Sequence, residues 1–337
     1  MSEIAFAPFY ERWAAKPGIG AVGKLILAGC VALAFFLPYY GRVGAAALSN
    51  WSWLLAVLIF CALLFLFYAT ATLRHLFPIW QVHIEKGNAA AFLVPLNRYL
   101  CDRNFFLAGF FFGGANLTMG VLFGIDMSDP VAASLLLFGY FIAGFVCGLP
   151  AMGILGVVAT FRKFTESNTL KLDYTAPDRC GGLSFFGVAL VKFSIVTLLA
   201  GILIASYILL AEWSHAGNPW VQLLMWGWIL FPFLLSLLVL VVPALDINQM
   251  LSRYRHVEEQ KLKDKCSELR CRIEVNAVGG ELESLRSDYD YLCRRREEVH
   301  NMRTWPFSAG ATTSFVGAFL SNVLVAIELG RSLLSNN

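Results

Sequence analysis

Long stretches without a charged side chain recur along the chain, separated by short segments in which acids, bases and turn residues gather. These runs predict helices near residues 22–40, 51–73, 105–125, 131–160, 183–212 and 220–245. Each is long enough to cross a hydrocarbon layer of about 30 Å at about 1.5 Å per residue. The fourth and fifth runs exceed that thickness, so they tilt or project beyond it. Pro150 lacks a backbone N–H and predicts a kink in the fourth.

Beyond residue 245 the pattern becomes charged and helical. Leu262, Cys266, Leu269 and Ile273 make one apolar stripe, and Leu282, Leu285, Tyr289, Leu292 and Val299 make another. The stripes are out of phase, and Gly279-Gly280 between them favours a chain reversal, so residues 246–303 read as a cytoplasmic helical hairpin. Its second arm returns the chain to the membrane surface. There, Trp305-Pro306-Phe307 offers an interfacial anchor, and residues 311–329 are again apolar, with Ser314, Ser321 and Glu328 on one stripe. That last helix is expected to be interfacial, re-entrant or a seventh span. The organisation is thus an all-α integral membrane protein. A cytoplasmic segment, 1–21, precedes six transmembrane helices in 22–245, followed by the hairpin, 246–303, and a membrane-associated C-terminal helix in 304–337.

Composition agrees: 58% of residues are hydrophobic and 15% charged, against about a quarter charged in soluble proteins. Charge adds an orientation. With the amino terminus inside, every one of the 26 Lys and Arg residues falls on the cytoplasmic side except Arg42 and Lys192, as retention of basic residues inside requires. Tyr39, Tyr40, Trp51, Trp53, Trp213 and Trp220 gather at the outer interface, with Trp80 and Trp305 at the inner one. A cell membrane is the expected location, and the opening MSEIAFAPFYERWAAKPG lacks the pattern of a cleavable signal. Asn50-Trp51-Ser52 matches a glycosylation acceptor but sits against the bilayer, where modification is not expected.

Candidate chemistry is sparse. The eight cysteines form no close Cys-x-x-Cys pair, so neither a disulfide framework nor a redox motif is expected. Cys266, Cys271, Cys293 and His300 could converge across the hairpin, but Cys-x4-Cys on one continuous helix points Cys266 and Cys271 in divergent directions, so no zinc site is expected either. Motifs of hydrolases, metalloproteases and nucleotide-binding folds are missing, which leaves no enzyme activity, cofactor or nucleic-acid partner to expect. Glycines at 109 and 113, 120 and 124, and 144 and 148 have the spacing that lets membrane helices approach closely.

Polar residues in or beside the spans are the candidates for a solute path or pore mouth: Asn116, Thr118, Lys192, Asp246 and Asn248. In an oligomer, Asp246 would form an acidic ring favouring cations. Asp178 is placed to cap the fifth span, Gly181-Gly182 to allow a tight entry, and Arg179 to hold a lipid phosphate, in keeping with anionic lipid on the basic side. The leading expectation is a homo-oligomeric channel or pore gated through the hairpin. A secondary transporter and a scaffold or sensor recruiting a cytosolic protein are the alternatives.

Overall fold

The computed structural model describes residues 8–14, 20–83, 94, 96–166, 172, 176–211, 213–215, 217–276 and 280–307, and the more C-terminal residues 310, 312–317, 319–320, 323–324 and 327. The described residues are helical or in turns, with no strand. The helices are α1 (Phe9–Ala14), α2 (Ala21–Val43), α3 (Ala46–Ser49), α4 (Ser52–His83), α5 (Asp102–Phe123), α6 (Pro130–Glu166), α7 (Ser184–Leu210), α8 (Pro219–Asn276) and α9 (Gly280–His300). Six of these, α2 and α4 to α8, are long and apolar enough to cross a membrane. Their outward residues include Leu25, Phe110, Phe111, Leu199, Leu223 and Leu234, all exposed. An apolar belt of that extent is stable against hydrocarbon and unstable against water. The chain is a membrane-embedded, multi-pass protein.

The six helices form a bundle with two distinct ends. The turns at 44–51 and 124–129 and the described turn residues 213–215 lie at one, here the turn end. At the other, the stalk end, α8 continues far past its apolar portion. Its 58 residues rise about 87 Å, with Pro232 and Pro243 accommodated inside. α9 runs back antiparallel along the distal half, bringing His300 to 3.4 Å from Glu259.

α4 is the most enclosed span: 61% of its apolar window is buried, against 17% for α2 and 22% for the α5 span, which are peripheral. α5 and α6 pack very closely because their contact face is made of glycine. A Cβ at Gly144 would sit 2.3 Å from the Phe112 carbonyl oxygen, and one at Gly148 2.7 Å from that of Ala108. Pro150 lies within α6, which continues to Glu166. α7 and α8 are joined by a reciprocal clamp in the buried core. The Ser194 hydroxyl donates to the Ser236 carbonyl at 2.8 Å, and the Ser236 hydroxyl returns the bond at 3.0 Å.

Where α7 begins, Asp178 accepts backbone N–H bonds from Cys180, Gly182 and Ser184 at 2.9 to 3.0 Å. The tight turn is possible because Gly181 and Gly182 take φ of 66° and 83°, a region that costs glycine little. The 303–307 segment docks onto this turn: Arg303 N donates to the Arg179 carbonyl at 2.7 Å, and the Cys180 thiol donates to the Trp305 carbonyl at 3.1 Å. Leu251, Val299 and Met302 are buried around it, so the base of the stalk is one packed junction of α7, α8 and the end of α9.

Candidate functional site: a file of cavities through the bundle

A cavity of about 400 Å³ opens at the turn end. α2 brings Tyr39 and Arg42 to it, the 50–52 turn brings Asn50 and Ser52, and the α5–α6 turn brings Asp126 and Asp129. Arg42 Nε donates to Asp129 Oδ2 at 2.7 Å, while Asp129 Oδ1 accepts Val131 N at 3.0 Å and so starts α6. The guanidinium hydrogen bond holds the Asp129 carboxyl below the usual carboxylate range, and the Ser128 N–H and hydroxyl do the same for Asp126. Both acids are therefore ionised around neutral pH. The Asn50 amide is hydrogen-bonded through both its nitrogen and its oxygen: Nδ2 donates to the Tyr39 hydroxyl at 2.8 Å and Oδ1 accepts Ser52 N at 3.1 Å.

The floor of this cavity is aromatic. Tyr140 of α6 and Tyr207 of α7 share a hydroxyl–hydroxyl hydrogen bond, and both side chains are buried. Trp213 closes over them, with ring centroids 6.1 and 5.8 Å from those tyrosines, and is pinned by donating to the Ile208 carbonyl at 2.8 Å. The same three rings form the ceiling of a second, deeper cavity of about 110 Å³. At about 30 Å³ per water that is room for three or four waters or one small molecule. Its lining contains no Asp, Glu, Lys or Arg. Asn116 supplies the fixed polar group: its amide donates to the Tyr140 carbonyl at 2.7 Å and accepts from Trp228 Nε1 at 3.1 Å. Thr197 and Cys147 also line it, but the Thr197 hydroxyl is turned back onto the Phe193 carbonyl.

Phe65, Pro150 and Ile154 separate the second cavity from a third, of about 40 Å³, which reaches toward the stalk end. Tyr10 of α1 forms its end wall and hydrogen-bonds Thr70 at 3.0 Å. α1 is held across the bundle by a buried carboxylate. Glu11 is 2% exposed and accepts Lys24 Nζ of α2 at 3.0 Å and Arg74 Nη1 of α4 at 3.2 Å. Asp102 of α5 accepts Phe9 N at 3.0 Å and pairs with Arg12, and Phe9 stacks on Phe106. Six residues thus bridge three spans and stop the file of cavities.

Of the five solute-path candidates, Asn116 lines one of these three cavities and the other four do not. Thr118 is exposed and bonds the Gly114 carbonyl on its own helix. Lys192 is exposed on the outer face of α7. Asp246 and Asn248 flank the buried Ile247 at the base of the stalk, with Asp246 Oδ2 and Asn248 Oδ1 shielded from solvent. Arg179 is exposed in a left-handed conformation, φ 54°. Sequence reading missed the Tyr140, Tyr207 and Trp213 lock and the Glu11 cluster. A lone acid within the aromatic run Phe9-Tyr10-Glu11-Arg12-Trp13 was the available signal for the second. Among the described residues no group of three or more His, Cys, Asp or Glu is placed to hold a metal ion. Comparison with protein-family models, with characterised proteins and with solved structures finds no match.

Proposed function

We propose that this chain is a carrier that moves a small uncharged solute through the interior of each subunit, in a conformation closed at both ends. The observation that carries the reading is the file of three cavities with shared walls. The inner two are shut off from the outer one by the Tyr140, Tyr207 and Trp213 rings and from the stalk end by α1. Closure at both ends favours a carrier over an open pore. The two inner cavities lack acidic and basic side chains, and an ion placed there would lose its hydration for a few hydroxyls and one amide.

The distribution of basic residues puts the stalk end and α1 in the cytoplasm. α8 lines the second cavity with Trp228, Pro232 and Leu235 and continues unbroken to Asn276, so a cytosolic partner pulling on the stalk hairpin would shift that wall. Val316, Leu320 and Leu324 are exposed apolar residues, suited to a C-terminal helix lying against lipid. Arg179 is suited to an anionic headgroup beside it. The axial channel of a homo-oligomer, with Asp246 at its mouth, is the reading to be displaced.

The test is flux through purified protein in proteoliposomes. Osmotic swelling with urea or glycerol, without electrical conductance in planar bilayers, supports the carrier. Ion currents whose selectivity changes in Asp246→Asn, without swelling, overturn it in favour of the axial channel.

A further inference from the structure

The distal stalk brings two thiols together. Cys266 of α8 is buried and Cys293 of α9 is half-buried, and the two thiols lie close enough to interact. The pairing follows from the register. Glu259 and His300 face each other; Cys266 lies two helical turns beyond the first and Cys293 two turns before the second, on the same faces. Tyr289, one turn further back, lies beside Cys293. Cys271 is exposed and outside this pairing.

We infer that Cys266 and Cys293 form an oxidisable dithiol, a site at which a peroxide converts the non-covalent stalk into a covalently stapled one. Cys293 is the more accessible thiol and reacts first. Its sulfur attacks one oxygen of hydrogen peroxide, the O–O bond breaks, that oxygen stays on sulfur as a sulfenic acid, and the other leaves with the thiol proton as water. The Cys266 sulfur then attacks that sulfur, the S–O bond breaks, a second water leaves, and the disulfide forms. The peroxide has taken two electrons and the two thiol protons end in water. Burial and the neighbouring Cys293 thiol hold the Cys266 thiol above its ordinary pKa, so its proton is lost as it attacks, which makes the second step slower than it would be for a free thiolate. Antiparallel packing places the two Cβ atoms on facing surfaces, as a disulfide requires. The staple would lie about 22 Å along α8 from Leu251, where the stalk meets the bundle.

The test uses the full chain in lipid nanodiscs. It is reduced, freed of reductant, exposed to hydrogen peroxide, quenched with N-ethylmaleimide and digested for mass spectrometry. The expected product is an intramolecular peptide pair linking Cys266 to Cys293, two hydrogens lighter than the reduced peptides, abundant in the wild type and in Cys271→Ser. Cys266→Ser is expected to leave Cys293 as a trappable sulfenic acid. Maleimide on both Cys266 and Cys293 after peroxide treatment would overturn the inference, as would a linkage confined to dimers or one running through Cys271.

Discussion

Replacing Glu11 by Gln removes the charge from the buried carboxylate that holds α1 while keeping its size and one acceptor oxygen. Hydrogen bonds to charged groups contribute about 1.5–3 kcal/mol, and stripping one partner from a fully buried ion pair costs about 3–5 kcal/mol. Glu11 is 2% exposed, but Lys24 and Arg74 are 26% and 43% exposed and regain hydration when released, so the lower range applies. A loss of about 1.5–3 kcal/mol raises undocking of α1 by about tenfold to a hundredfold. Phe9 and Tyr10 remain buried, each contributing about 1.5–3 kcal/mol, so α1 stays docked most of the time. Amide hydrogen exchange of residues 9–14 in nanodiscs reads this opening directly. Arg12→Gln is the control: its pair with Asp102 joins side chains 56% and 34% exposed, and such surface pairs contribute about 1 kcal/mol or less. The reasoning fails if Glu11→Gln exchanges no faster than Arg12→Gln.

Tyr140→Phe and Tyr207→Phe each leave one buried hydroxyl without its partner and are expected to cost about 1–3 kcal/mol, while the double variant costs less than the two single costs combined; thermal unfolding of the four proteins completes the cycle, and simple additivity would contradict the lock. Gly144→Ala drives a Cβ into the Phe112 backbone and is expected to lower stability by about 1–3 kcal/mol. Gly114→Ala meets nothing within 4 Å and is expected to be neutral or stabilising by up to about 1 kcal/mol, as melting in mild detergent will show. Burial raises the Asp178 pKa, but the backbone N–H groups of Cys180, Ser184 and Gly182 outweigh it, and the folded value is lowered. Its stabilisation is therefore full above the unfolded value of about 4 and is lost as pH falls through the lower folded value. Asp178→Asn should be less stable near neutral pH and should show a shallower loss on acidification.

The six spans were legible because hydrocarbon imposes length and polarity on every helix that crosses it. Ends were less legible. α4 runs to His83 and α6 to Glu166, beyond the runs at 51–73 and 131–160, because a helix can continue into polar surroundings after its apolar stretch stops. Gly144 and Gly148 announced close packing, since only a missing side chain allows that approach. Asn116 was legible as a polar residue in an apolar run. Thr118 carried the same signal but satisfies its hydroxyl on its own helix, which spacing cannot reveal. Tyr140, Tyr207 and Trp213 come from three separate segments and meet only through packing, so no local pattern marks them. The Cys266 and Cys293 pairing depends on the register of two helices, which the stripes alone left open. Of residues 311–329, eleven are described and all eleven are helical, while the others, Ser321 and Glu328 of the polar stripe among them, lie outside the described residues.

Ala200 lines the second cavity on α7 and is half-buried, so Ala200→Phe fills the cavity without displacing a charge or a hydrogen bond. The measurement is the rate of proteoliposome swelling with the solute the wild type carries, on protein whose elution and melting match the wild type. A path inside the subunit predicts flux lost in Ala200→Phe and reduced in Ala200→Val. Unchanged flux through folded Ala200→Phe would place the path elsewhere and contradict the account.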